Sequence, residues 1–113
     1  MRLVLKYGGT SISSAKDIQA VAKFINSLSK QNEITVVCSA ISGITDDLIE
    51  ISHSIKNENK EKTKQITSKI INRHRQLAKE TIKKLTIRKK LLEKLDIDFQ
   101  ELSALIEGMI LLG

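Results

Sequence analysis

The sequence predicts an α/β fold: a parallel βαβ unit over residues 1–45, then a mostly helical segment over residues 46–113. Three observations carry that expectation. Two short runs, residues 2–6 and 34–38, are dominated by Leu, Ile and Val and have the length of buried strands. Between them, apolar residues recur every three or four positions, as on one face of a helix. From residue 46 on, helical spacing prevails and no Pro interrupts it.

The first strand, Arg2-Leu3-Val4-Leu5-Lys6, is stopped by Gly8-Gly9, which reads as a tight turn. Ser13 and Ser14 follow, and Asp17 stands three residues after Ser14. This is the pattern of a helix cap with an acidic residue in the first turn. Ile18, Val21, Ala22, Ile25 and Leu28 then mark the apolar face of a helix of about four turns, broken at Gln31-Asn32. Ile34-Thr35-Val36-Val37-Cys38 is the second strand. A strand, helix and strand within forty residues form a right-handed unit with parallel strands. Thr45 is expected to open the next helix, with Asp46 and Asp47 in its first turn and Leu48, Ile51 and Ile55 on one side. Residues 56–64 are wholly polar and read as a loop or frayed helix end. Ile66, Ile70, Leu77, Ala78, Ile82 and Leu85 define another helical face. A break is expected near Thr86, and Asp96 is expected to begin a last helix with Leu102, Leu105, Ile106 and Met109 on its apolar side.

Composition narrows the function. Aromatic residues are 3% of the chain and Trp is absent, which argues against nucleic-acid recognition by base stacking. The net charge of +6 is unevenly spread: residues 1–55 are neutral, residues 56–94 carry +10 and residues 95–113 carry −4. The basic stretch could meet an anionic partner, but its spacing among Ile and Leu fits a solvated helix face, with Arg73, Arg75, Arg88, Lys89 and Lys90 as scattered surface charges. The single cysteine, Cys38, permits no internal disulfide and reads as a buried, inert thiol. His53 and His74 lack partners at metal-ligand spacing and read as surface residues, so no metal site is expected. No apolar run approaches a membrane span and the N-terminus lacks the pattern of a signal peptide, so a cytoplasmic protein is expected.

Two constellations carry chemistry. In Lys6-Tyr7-Gly8-Gly9-Thr10-Ser11 a strand ends in Lys, two glycines let the backbone approach phosphate oxygens, and two hydroxyls follow. It is not a Walker A loop, because the Lys precedes the glycines. The same residues also read as a plain strand-to-helix turn. In Ser39-Ala40-Ile41-Ser42-Gly43-Ile44-Thr45-Asp46, hydroxyls follow the second strand at the same expected sheet edge, where ligands of parallel α/β sheets bind. There Thr45 reads equally as a helix cap, and the two roles are compatible.

A strand ending in Lys-(Phe/Tyr)-Gly-Gly-Thr-Ser, followed about thirty residues later by Ser-Ala and then Ser-Gly-(Val/Ile)-Thr-Asp, resembles the aspartate kinases of the amino-acid-kinase family. The resemblance is sharp over residues 2–47. It implies the start of a three-layer α/β/α amino-acid kinase fold with a mostly helical insertion. It also implies ATP-dependent phosphorylation of the L-aspartate side-chain carboxylate, with Mg²⁺ carried by the nucleotide. By the same resemblance, Lys6 is the catalytic cation, and Lys6, Tyr7, Gly8, Gly9, Thr10 and Ser11 bind ATP. Ser39 and Thr45 contact aspartate. Tyr7 stands where the family more often has Phe.

The chain ends on the apolar run Met-Ile-Leu-Leu-Gly, and a two-stranded parallel sheet leaves a face uncovered. A fragment, inactive by itself, is therefore expected. It would be completed by the remainder of a kinase chain or a second subunit, and the full-length protein would be a homo-oligomer. The alternative is a non-catalytic helical module that binds a partner chain or, less in keeping with the composition, nucleic acid.

Overall fold

Alternation along the first strand decides how the sheet is built. In the computed structural model, which describes all 113 residues, β1 (Arg2–Tyr7) sets Leu3, Leu5 and Tyr7 half-buried on one face and Arg2, Val4 and Lys6 exposed on the other. β2 (Glu33–Cys38) pairs with β1 in parallel, in a register that puts Arg2 opposite Glu33, Lys6 opposite Val37 and Tyr7 opposite Cys38. α1 (Ala15–Ser29) connects them. The Ser14 hydroxyl caps it, accepting the Asp17 N–H at 3.1 Å, and Ile18, Val21, Ile25 and Leu28 are its inner residues.

The two strands are not the buried strands expected from their composition. Val4 is 72% exposed, Val37 46%, and Cys38 is exposed as well. Within this unit α1 is the helix that packs on the sheet, and a helix covers one face; Val4 and Val37 share the face of Lys6. Cys38, in register with Tyr7 on the other face, is exposed as the last residue of its strand, and is an accessible thiol and not a buried one.

The chain divides into two compact units, Met1–Thr45 and Asp46–Gly113. The division falls in the first turn of α2 (Ile44–Lys56). The second unit contains the rest of α2 with α3 (Lys60–Thr81) and α4 (Leu85–Leu112). No helix is long and apolar enough to cross a membrane.

The polar stretch after α2 is shorter as a loop than its composition suggested. Asn57, Glu58 and Asn59 reverse the chain and Lys60–Lys64 is already helical. The Asn59 side chain caps α3 by accepting the Lys62 N–H at 3.1 Å. At the end of α2, the Asn59 N–H reaches the Ser54 carbonyl at 2.8 Å and the Glu58 N–H reaches the Ile55 carbonyl at 3.0 Å. This is a Schellman closure, with Glu58 in the left-handed position at φ 58°. Lys62 hydrogen-bonds Glu50 across the hairpin at 2.7 Å, and that bond together with the ammonium charge holds the Glu50 carboxyl below its ordinary range.

A hydroxyl pair is buried between α2 and α3. Ser54 Oγ and Thr63 Oγ1 lie 2.7 Å apart, and each also stands 2.9 Å from a carbonyl of its own segment, Ile51 and Asn59 respectively. The two hydroxyls have one proton each, so at any moment two of these three contacts are hydrogen bonds. Ile44, Ile51, Ile66, Ile70 and Ala78 are the buried apolar residues of these two helices.

α3 and α4 run antiparallel: Arg75 pairs with Asp96, His74 packs edge-on against Phe99 at 5.2 Å, and Thr63 shares a groove with Ile110. The expected breaks therefore move. The link is Ile82–Lys84, Thr86 lies inside α4, and Asp96 is a mid-helix residue held by Arg75. Nothing between Leu85 and Glu107 is a strong helix breaker, so the helix simply continues. His74 is half-buried, with Nδ1 2.8 Å from the Ile70 carbonyl, and is no surface residue. Arg88 turns back so that its Nε donates to the Ile82 carbonyl at 2.7 Å. Arg75 and Arg88 are thus structural partners, whereas Lys89 and Lys90 are exposed. Along α4, Ile106 is buried but Leu105 and Met109 are 67% and 49% exposed, so the expected apolar face is only partly covered.

Two outcomes follow. Glu58→Gly removes a Cβ from a left-handed position and should stabilise the helical unit by up to about 1 kcal/mol, read as a higher urea midpoint. Thr63→Val removes the contact with Ser54, which keeps the Ile51 carbonyl, and should cost about 0.5–1.5 kcal/mol, read as a lower urea midpoint.

Candidate functional site

Parallel register brings both strands to their ends at one sheet edge, and the two motif loops leave from there. The Ser39 N–H extends the ladder by one bond, donating to the Tyr7 carbonyl at 3.1 Å. On the first loop, Gly8 is still extended (φ −77°, ψ 169°) and Gly9–Ile12 form a 3₁₀ turn, closed by the Ser11 N–H on the Gly8 carbonyl at 3.1 Å. The Gly9 and Thr10 amides precede that first bond, and Gly8 has no side chain with which to cap them. On the second loop, the Ile44 N–H donates to the Ile41 carbonyl at 3.0 Å and Gly43 adopts φ 88°, a conformation that disfavours any side chain.

The two loops touch through their backbones. A Cβ at Gly9 would stand 2.6 Å from the Ala40 carbonyl oxygen and 2.9 Å from the Ser42 nitrogen, so only glycine fits. At Gly8 a Cβ would meet nothing within 4 Å. The adjacent glycines thus do different work: Gly9 permits the loops to close on each other, and Gly8 faces open space.

Lys6 belongs to the exposed face of β1, one residue before the strand ends, and no carboxylate pairs with it. Tyr7 is half-buried on the opposite face. Thr10 and Ser11 are exposed on the turn. Ser39 is exposed, and its hydroxyl donates to the Ala40 carbonyl at 2.8 Å. Thr45 is exposed too, but it is not the helix cap: α2 begins one residue earlier, at the buried Ile44, which leaves the Thr45 side chain free of a capping role. Asp46 and Asp47 do occupy the first turn.

One residue at this edge was not recognisable beforehand. Ser13 ends the 3₁₀ turn, and its hydroxyl donates to the Gly9 carbonyl while accepting the Ser42 N–H at 3.1 Å. Its only sequence signal is a hydroxyl two positions past the motif, next to a better helix cap.

The edge therefore offers backbone amides, small hydroxyls and an unpaired ammonium, a chemistry suited to anionic oxygens. No group of three or more His, Cys, Asp or Glu side chains stands where it could hold a metal ion.

The sequence pattern of the amino acid kinase family matches residues 1–109. Among curated proteins, the chain is 43% identical over 54 residues to an aspartokinase of Corynebacterium glutamicum, covering 47% of this chain and 13% of the relative. It is 38% identical over 78 residues to an aspartokinase of Chlamydia trachomatis, covering 69% and 16%. With an aspartokinase of Helicobacter pylori the identity is 40% over 70 residues, covering 60% and 17%. The chain thus spans less than a fifth of the length of each of these relatives.

The glycine geometry is directly testable. Gly9→Ala must push the loops apart and should destabilise the βαβ unit by about 1–3 kcal/mol, with amide shifts at Ala40–Ser42; Gly8→Ala should leave both nearly unchanged. Comparable effects from the two substitutions would contradict the close approach.

Proposed function

The chain belongs to the amino acid kinase family, and on that premise we propose that its sheet edge is the phosphate- and aspartate-binding edge of an aspartate kinase domain. The proposed reaction is ATP-dependent phosphorylation of the L-aspartate side-chain carboxylate to 4-phospho-L-aspartate, the entry to lysine, threonine and methionine synthesis. The observation that supports it best is the closure of the two motif loops on each other at Gly9.

In this reading the Lys6 ammonium offsets charge on the transferring phosphoryl group. The Gly8 and Gly9 backbone, with Thr10 and Ser11, receives phosphate oxygens, and Tyr7 supports the strand from its packed side. Ser39 and Thr45 hydrogen-bond aspartate. Magnesium carried by the nucleotide would supply further neutralisation of phosphate charge at this edge. ATP and aspartate are thus held at one edge, where positioning acts together with the Lys6 charge in phosphoryl transfer.

The open sheet face supports a second part of the proposal. A parallel sheet is stable when both faces are covered, and Val4 and Val37 are not. We propose that turnover requires further polypeptide, as the remainder of a kinase chain or a second subunit, which completes a three-layer α/β/α domain. The complete enzyme is then a cytoplasmic homo-oligomer. The engagement of Arg75 and Arg88 within the helical unit weighs against a nucleic-acid-binding role for the basic stretch.

The chain alone should show no aspartate-dependent ATP turnover in a coupled assay. ATP should nevertheless shift the amides of Gly8–Ser11 in NMR titrations, and L-aspartate those of Ser39 and Thr45. Lys6→Ala should weaken ATP binding by about tenfold or more, the effect of losing a charge-assisted hydrogen bond. Titrations that leave both loops unmoved would sink the assignment.

A further inference from the structure

We propose that Ser13 is a positioning residue that locks the aspartate loop to the phosphate loop, so that occupancy of one is felt by the other; this rests on the function proposed above. Its side-chain hydroxyl bonds both loops. The proton goes to the Gly9 carbonyl, inside the phosphate turn, and a lone pair receives the Ser42 N–H from the second loop, 29 positions away in sequence.

The geometry makes this bridge specific. A hydroxyl has one proton and acceptor lone pairs, so it can serve a carbonyl and an amide at once, and Ser13 uses it in that way. The bridge sits beside the closest backbone approach of the two loops, the contact of Gly9 with Ala40 and Ser42. The other bonds of each loop stay within it: the phosphate turn is closed by its own 3₁₀ bonds, the Ser11 N–H on the Gly8 carbonyl among them, and the second loop by the Ile41–Ile44 turn. Ser13 is half-buried, ends the 3₁₀ turn at φ −92° and ψ −7°, and is not needed to cap α1, because Ser14 does that. Its two hydrogen bonds are therefore separable from the folding of the helix.

Ser13 does not reach substrate in this proposal. It acts through the Gly9 carbonyl and the Ser42 amide. A movement of the phosphate turn on nucleotide binding is passed to Ser42, and from there to the loop that bears Ser39. The coupling is reciprocal, as any equilibrium linkage between two sites must be.

The test uses the 113-residue chain with Ser13→Ala, Ser13→Thr and Ser14→Ala. Amide hydrogen exchange at Ser42 should speed up about fivefold in Ser13→Ala, the factor that matches loss of one neutral hydrogen bond, and be restored in Ser13→Thr. Magnesium-ATP should shift the amides of Ala40–Gly43 in the wild type and in Ser13→Thr, but not in Ser13→Ala. Ser14→Ala removes the helix cap and should lower stability while leaving that propagation intact, which separates positioning from folding. Unchanged exchange at Ser42 in Ser13→Ala, or ATP shifts that still reach Ala40–Gly43 in that variant, would overturn the proposal alone. A wild-type chain in which ATP moves neither loop would overturn the functional reading and this proposal with it.

Discussion

Backbone contact between two loops is the constraint on which the candidate site depends. The Gly9–Ile12 turn and the Ser39–Gly43 loop approach so closely at Gly9 that a single added carbon would overlap a carbonyl oxygen and an amide nitrogen. Such an approach needs the strands to end together, and parallel pairing of Tyr7 with Cys38 ensures that they do. It also needs the first loop to turn at once, which the short 3₁₀ turn after Gly8 achieves. The Ser13 hydroxyl then joins what packing has brought together. Remove the register, and neither the contact nor the bridge can form.

The helical unit is held by a different balance. Its buried residues include Ser54, Thr63 and Thr67 beside Ile51, Ile66 and Ile70. Hydroxyls can be buried at low cost when each finds a carbonyl, and these do, on Ile51, Asn59 and Thr63. The long helices α3 and α4 rely on few charged pairs. Arg75 with Asp96 joins α3 to α4, and Lys62 with Glu50 and Lys69 with Asp47 join α3 to α2. The last two are solvated on at least one side and add little stability individually, so they set alignment more than strength.

Much of this was legible from residue order. The strands, the Ser14 cap, the α1 face and the motif loops all follow from local composition and spacing, and each is an interaction within a few residues. The misplacements have a common cause. Composition placed a loop or frayed helix end at residues 56–64, but the Asn59 cap and Schellman closure confine the link to residues 57–59. Asp96 looked like a helix start, since an acid favours a first turn, yet its carboxylate answers Arg75 from another helix. Cys38 and Val37 looked buried because their types prefer burial, but burial depends on what covers the sheet.

The sequence by itself determined the local chemistry: which segments are strands and helices, where glycine and hydroxyls cluster, and the likeness to aspartate kinases over residues 2–47. Those properties depend on neighbours in the chain, whose distances covalent geometry dictates. Only the tertiary structure decided that Gly9 and not Gly8 is sterically required, that Ser13 bridges two loops, and that one sheet face stays open. Each of these involves atoms far apart in sequence, or the absence of atoms from a surface, and chain packing alone sets both.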